Sequence, residues 1–438
     1  MMASPPIFLL FLISLWLMAL GLVRRGGIYE IPFLVGSVFM GFILPQLPAL
    51  AANPLQHGFA VDRMVLFSSA CALLTGLGWI TGQRPITRGP QLVIEERRLV
   101  YLAAFLSLAG AYFYFEVSRL PPEIRLETMP SGTMVMYSFF QRMLTGGFVL
   151  AVLCIARRSS PLAWLVATFD LVLLGDRLLI GGRKGEATEA LLAVLIAFWF
   201  YRGWAAPRML ALVGVLVAAV CLNSTADYRS TVRQQGGLDW SQISKIDVFG
   251  NFTQVLAYGG PETRNAVERM DLVANNGSFD YGLFHWNVIV YNFIPAQLFG
   301  DDFKKSLRAD IIDTQTGLDY QPELGSTETG MTDAFASFWY LGALKFFIIA
   351  YVLARLYCTA RQGWLLSQIL YIFGVTAAML SVSHHTQWLL SVYIQLAILL
   401  LPGLLLIRQR RLKHGFAAVS RSGQPGLHSP RLRGIVRS

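Results

Sequence analysis

Glycines and cations are concentrated in residues 181–186, Gly-Gly-Arg-Lys-Gly-Glu, and this composition suits an anionic ligand. Glycine lets the backbone approach a ligand closely, and Arg183 and Lys184 would offer phosphate oxygens a planar fork and a point charge. Backbone N–H groups at the start of the following helix also favour an anion. The alternative is a tight turn whose cations extend to a membrane surface. We predict a diphosphate site formed by Arg177, Arg183 and Lys184.

A second cationic cluster follows the apolar run that ends at residue 222, and it contains Asp227, Tyr228, Arg229 and Arg233. Arg229 and Arg233 are four residues apart, so they share one face if the segment is helical. Two arginines on one face suit a diphosphate. The alternative pairs an arginine with Asp227 and leaves Tyr228 at the membrane interface.

Candidate acid–base residues lie further along the chain. Glu328 stands among small residues and could act as a general base, and His384 or His385 could exchange a proton near pH 7. Asp333 is a further candidate, although it or Thr332 could instead cap the next helix. For the histidines, the alternative is a polar position at the membrane surface.

The composition is that of a membrane protein. Hydrophobic residues make up 55% of the 438 residues and charged residues 14%, whereas soluble domains have roughly 45–50% and about 25%. Apolar runs of membrane-spanning length predict an all-α, polytopic protein with about eleven spans. They are residues 7–23, 31–50, 64–81, 99–115, 134–156, 162–180, 187–201, 209–222, 334–354, 365–381 and 388–407.

Basic residues recur in alternate connections between these spans. They are arginines 24 and 25, arginines 84, 88, 97 and 98, arginines 157 and 158, arginines 202 and 208, arginines 355 and 361, and the tail after residue 407. The positive-inside rule places this set in the cytoplasm and the remaining connections outside. Because the net charge of +10 is distributed in this way, it indicates membrane orientation rather than nucleic-acid binding.

The predicted domains are an eight-span bundle (1–222), a large outer loop (223–333), three further spans (334–407) and a disordered basic tail (408–438). Within the loop, residues 284–299 are too short and polar for a span and predict a re-entrant or interfacial helix. Lys345 falls inside a span, where we expect it to be paired or to line a polar cavity. No nucleotide-binding or metal-binding motif is present, so we predict neither a cofactor nor a metal site.

The chain resembles Wzy-type O-antigen and capsular polysaccharide polymerases. The resemblance rests on the span number, the large outer loop, residues 181–186, and the sequence Ser-Thr-Glu-Thr-Gly at 326–330 leading into a span with Tyr340-Leu341-Gly342. O-antigen ligases share this architecture, and both are similar to the GT-C class of membrane glycosyltransferases.

The resemblance implies an enzyme of the bacterial inner membrane that joins undecaprenyl-diphosphate-linked oligosaccharides at the periplasmic face. A flippase and a chain-length regulator (polysaccharide co-polymerase) are the implied partners. The cations of both clusters would stabilise the leaving diphosphate, the acid–base candidates would deprotonate the acceptor hydroxyl, and Glu186, Tyr228 and Trp286 would contact glycan. An O-antigen ligase is the nearest alternative. A transporter or flippase for an anionic lipid is the alternative of another class, although no internal repeat is visible.

Overall fold

The computed structural model describes residues 4–53, 58–87, 92–121, 132–179, 184–235, 238–310 and 328–408. Across these ranges the protein is all-helical, with 83% helix and no strand, as the apolar periodicity predicts. The helices of the first half are α1 (Pro5–Val23), α2 (Ile31–Val38), α3 (Leu47–Ala52), α4 (Gly58–Gly82), α5 (Glu96–Arg119), α6 (Thr133–Gln141), α7 (Met143–Arg157), α8 (Pro161–Leu179), α9 (Lys184–Arg202) and α10 (Arg208–Cys221).

The outer loop contains short helices, and the last part of the chain returns to long ones. The loop helices are α11 (Thr225–Gln235), α12 (Trp240–Ile243), α13 (Val248–Tyr258), α14 (Pro261–Asn276), α15 (Leu283–Phe293), α16 (Ala296–Phe299) and α17 (Asp301–Ser306). The later helices are α18 (Gly330–Phe338), α19 (Leu344–Ala360), α20 (Leu365–Leu380), α21 (Gln387–Leu399) and α22 (Leu401–Ile407). The predicted disordered tail lies outside the described residues beyond Arg408.

A multi-spanning membrane protein is confirmed, but the predicted count of eleven spans is not. In the described ranges, seven helical segments are long and apolar enough to cross a membrane. A bent pair, Arg208–Cys221 with Thr225–Val232, would make eight. The other predicted spans do form helices, but α20 has only 16 residues and α8 and α9 carry several charges.

Two predicted spans are broken helices. The second span is interrupted by a π-helical turn at Phe39–Ile43 and a 3₁₀ turn at Leu44–Gln46. The ninth is interrupted by a 3₁₀ turn at Trp339–Ala343, where Trp339 has a φ of 52°. Such breaks leave backbone groups without their helical partners and are common at functional sites.

Helices α4 and α19 form the tightest part of the bundle. A Cβ at Gly78 or Gly82 would overlap the backbone oxygens of Phe347 and Tyr351 on α19. Small residues of this kind let two membrane helices approach backbone to backbone. Loop helix α14 packs against the outer half of α4, where Arg63 and Asp271 form an ion pair at 2.6 Å.

The connections with paired arginines meet at one end of the bundle, here called the arginine-rich end. Hydrogen bonds join them in four places: Arg24 to Gln83, Ile86 to Thr359, Arg202 to Ala156 and Arg208 to Val23. The alternate connections that the sequence predicts to lie on one side of the membrane therefore lie together at one end of the bundle. The acid–base candidates and both cationic clusters belong to connections at the opposite end.

A buried carboxyl, Glu30, stands at the arginine-rich end just before α2. It is 7% exposed and accepts a hydrogen bond from Trp79 Nε1 at 3.1 Å. Burial raises the pKa of Glu30 to about 7, although Trp79, Arg24 and Arg361 oppose the shift. Glu30 is therefore partly protonated near neutral pH.

Candidate functional site

A cavity of about 750 Å³, here called the central cavity, lies at the end of the bundle opposite the arginine-rich end. It is lined by residues of helices α6, α8, α9, α11, α15, α20 and α21. This volume falls within the range of 300–1,000 Å³ that is typical of small-molecule sites.

Three arginines and two glutamates line the central cavity. Arg142 pairs with Glu189 at 3.1 Å, and Arg177 pairs with Glu186 at 2.5 Å. Arg229 reaches the same space from α11. The formal charges of these five described side chains sum to +1. Since each guanidinium has five N–H donors, an arginine paired with one carboxylate can still donate to an anion.

His384 and Gln387 reach the central cavity from the turn between α20 and α21. His384 Nδ1 shares a hydrogen bond with Ser383 Oγ at 2.9 Å. The His384 ring packs on the Trp388 ring, with centroids 4.7 Å apart. The imidazole therefore lines the same cavity as the arginines, where it could exchange a proton with a ligand.

A small crevice of about 20 Å³ adjoins the central cavity on the side of the arginine-rich end. The two spaces share Arg142, Phe373, Val392 and Gln395 in their walls. Along α21, residues 387–395 line the central cavity and residues 392–400 line the crevice. At a rise of about 1.5 Å per residue, the crevice lies more than one helical turn deeper.

The other acid–base candidates form a separate group that we call the buried ionic network. Its members come from the outer loop, from α18 and α19, and from the turn before α21: Arg269, His285, Glu328, Asp333, Lys345, His385 and Thr386. None of these residues is among those that line the central cavity in the described part of the chain. The structure therefore divides the predicted catalytic residues between two places.

Asp333 is the centre of the buried ionic network and is 1% exposed. Its carboxylate accepts the backbone N–H of Thr386 at 2.6 Å and the Thr386 hydroxyl at 2.9 Å. Lys345 Nζ lies 3.6 Å from the same carboxylate and donates to Ser337 Oγ at 3.0 Å. The pairing that its intramembrane position predicts for Lys345 is present. Asp333 does not cap α18, because Thr329 Oγ1 accepts the Thr332 N–H in that role.

His285 joins α15 to the buried ionic network. His285 Nε2 lies 3.0 Å from Thr386 Oγ1, whose hydroxyl also contacts Asp333. Burial lowers the pKa of His285 below 6.5, while Asp333 opposes that shift. Lys345 Nζ lies 3.4 Å from His285 Nε2, and its positive charge also disfavours protonation of the imidazole.

Glu328 and Arg269 form an ion pair on the outer side of the buried ionic network. Both are nearly inaccessible, with 6% and 5% exposure. His385 bridges the two carboxylates of the network, with Nε2 3.7 Å from Glu328 and Nδ1 3.6 Å from Asp333. Arg269 and Lys345 balance the charges of Glu328 and Asp333 in the network, as buried charges require.

A glycine allows α18 to touch the turn that carries the histidines. Gly330 N–H donates to Ser381 O at 3.0 Å, and a Cβ at this position would overlap that oxygen. Together with the bonds from Thr386 to Asp333, this contact holds residues 381–386 against α18. The buried ionic network thus supports the turn from which His384 and Gln387 enter the central cavity.

The remaining predicted site residues have different positions. Arg183 lies outside the described residues, and so do the side chains of Lys184 and Arg233. Tyr228 donates to Leu179 O, and Trp286 donates to Leu307 O at 2.7 Å. Neither aromatic residue is among the described residues that line the central cavity. The predicted contact of these aromatics with glycan stays a prediction.

The sequence analysis missed Arg142, Glu189, Arg269, His285 and Thr386 as site residues. A signal existed for two of them, because Arg142 and Glu189 stand inside predicted spans and a charge within a span indicates function. Arg269, His285 and Thr386 are polar residues between the predicted spans, and no motif or spacing distinguishes them.

The described residues contain no group of three or more His, Cys, Asp or Glu side chains that could hold a metal ion. Comparison of the chain with protein-family models, with curated proteins and with solved structures finds no match in any of the three.

Proposed function

We propose that this protein is a polysaccharide polymerase that joins lipid-diphosphate-linked oligosaccharides at the outer face of a bacterial inner membrane. The observation that carries the proposal is the central cavity of about 750 Å³, which is lined by Arg142, Arg177 and Arg229. An anionic headgroup fits this cavity, since guanidinium groups bind diphosphate.

The reaction exchanges one bond at the anomeric carbon. The acceptor hydroxyl oxygen attacks that carbon, and the bond to the diphosphate oxygen breaks with its electron pair leaving on the diphosphate. His384 takes the hydroxyl proton. Arg142, Arg177 and Arg229 stabilise the charge that develops on the leaving group, and they act most strongly where water is excluded. An in-line displacement of this kind inverts the anomeric centre.

The orientation follows from the charge distribution. By the positive-inside rule the arginine-rich end is cytoplasmic, so the central cavity opens to the periplasmic side. In this arrangement the helices α8, α9 and α20 also cross the membrane, and the spans number eleven. Arg183, Lys184 and Arg233 belong to the same cationic region by sequence position and are further candidates for diphosphate binding.

Reconstitution provides the test. Purified protein in liposomes is given the lipid-diphosphate-linked repeat unit, and the products are resolved as a ladder of chain lengths. Arg229→Ala should lower the rate of polymerisation by about 10²-fold, as for loss of one donor that stabilises transition-state charge. Arg119→Ala is the matched control, because Arg119 is 74% exposed and pairs with Glu116 on the surface.

Unchanged chain elongation by Arg229→Ala would count against this site. Addition of lipid A-core separates the nearest alternative, since a ligase moves preformed polymer to that acceptor and makes no ladder from single repeat units. Transport of the lipid between leaflets without any new glycosidic bond would support the transporter alternative instead.

A further inference from the structure

Two buried polar atoms in the wall of the central cavity have no hydrogen-bond partner among the described residues. They are Thr376 Oγ1 on α20 and Gln387 Oε1 at the start of α21. Buried polar atoms of folded proteins are almost always paired, and an unpaired one is costly. A ligand that bonds to them would remove this cost.

Other uncharged residues also line the central cavity. Trp388 and Ser391 of α21 and Asn292 of α15 are among them. We call the surface formed by Thr376, Gln387, Trp388, Ser391 and Asn292 the neutral wall. The arginines and glutamates of the central cavity come from other helices.

The chemistry of the neutral wall discriminates between ligands. Gln387 Oε1 is an acceptor only and needs a donor proton, which an ionised phosphate oxygen does not carry. A hydrocarbon chain offers no hydrogen bond at all. A sugar presents hydroxyl groups that donate and accept, and its C–H face packs on an aromatic ring such as Trp388.

We propose that the neutral wall binds the sugar residue joined to the diphosphate, with Thr376 and Gln387 bonded to its hydroxyl groups. This assignment rests on the proposed function and adds to it the part of the site that recognises glycan. The ligand then has its diphosphate at the arginines and its first sugar against α20 and α21.

The test compares two lipids that differ only in the sugar. Protein in nanodiscs is titrated with undecaprenyl diphosphate and with the same lipid carrying the repeat unit isolated from cells that lack this protein. The wild type should bind the glycosylated lipid at least about tenfold more tightly, as expected for two hydrogen bonds and one ring contact.

Thr376→Val and Gln387→Met should each lower affinity for the glycosylated lipid about fivefold, as loss of one neutral hydrogen bond does. Affinity for the sugar-free lipid should not change. Matched controls are Thr253→Val and Gln254→Met, which alter exposed residues of α13 and should affect neither lipid. Gln387→Asn is a second, milder variant should Gln387→Met fail to fold.

The outcomes separate this assignment from the proposed function. If the substitutions weaken binding of both lipids equally, or if the wild type binds both lipids equally, the neutral wall does not recognise sugar and the inference is wrong. The diphosphate site survives either result. If the wild type binds neither lipid, the proposed function itself fails.

Discussion

The ion pair between Arg269 and Glu328 allows a direct test of whether Glu328 acts in catalysis or in structure. The sequence predicts Glu328 as a general base, but the carboxylate is buried against Arg269 within the buried ionic network. Removing one partner of a buried pair leaves an uncompensated charge and costs about 3–5 kcal/mol. We therefore expect Arg269→Met to destabilise the protein by about that amount.

The double variant Arg269→Met/Glu328→Gln should recover most of the loss. A buried pair replaced by uncharged groups of similar size is often neutral in stability. The coupling between the two substitutions, measured as a double-mutant cycle, should reach about 2 kcal/mol or more. The cycle compares the unfolding free energies of the wild type, the two single variants and the double variant, each measured by titration with SDS in mixed micelles.

Polymerisation by the same variants completes the test. If Glu328 is structural, the double variant makes polymer at a rate within about tenfold of the wild type, because His384 and the arginines of the central cavity are unchanged. Glu328→Gln that keeps its stability but loses turnover by 10²-fold or more would refute this reasoning and restore Glu328 as the base.

Two further predictions concern single residues. Because the pKa of Glu30 is raised to about 7, the folded state binds its proton more tightly than the unfolded state, and stability falls as the pH rises from about 4.5 to about 7. Glu30→Gln should therefore stabilise the protein at pH 8, by up to about 3 kcal/mol, and change little at pH 4, as thermal unfolding across pH would report. Gly342→Ala would drive a Cβ into the Ala334 carbonyl oxygen and should lower the free energy of unfolding by about 1–3 kcal/mol or more. Gly214→Ala is its control, since nothing lies within 4 Å of the added Cβ, and equal effects at both glycines would contradict the packing argument.

Helix positions could be predicted from the sequence because hydropathy is a local property. α1 begins and ends within a few residues of its predicted run. α4 ends close to the predicted position but begins earlier, at Gly58. The interruptions at residues 39–46 and 339–343 could not be predicted, since they depend on how the neighbouring helices pack.

The site was predictable in part, and most directly where charges lie in connections that the positive-inside rule places outside. Arg177 and Arg229 oppose the positive-inside rule, and both line the central cavity. Arg142 was not predicted as a site residue because the mean hydropathy of residues 134–156 stays high despite this one cation. Thr386 gives no signal in the sequence, since its bonds to Asp333 arise only when α18 meets a turn that is 53 residues distant.

The buried ionic network has a consequence for biosynthesis. Lys345 and Asp333 enter the membrane with α18 and α19, but Thr386 and His385 are made later, just ahead of the last apolar segment. Until that segment is inserted, the nascent protein keeps ionised groups in hydrocarbon with an incomplete set of partners. A chain that ends before residue 365 should therefore be recognised and degraded by membrane proteases, whereas the full-length protein should be stable.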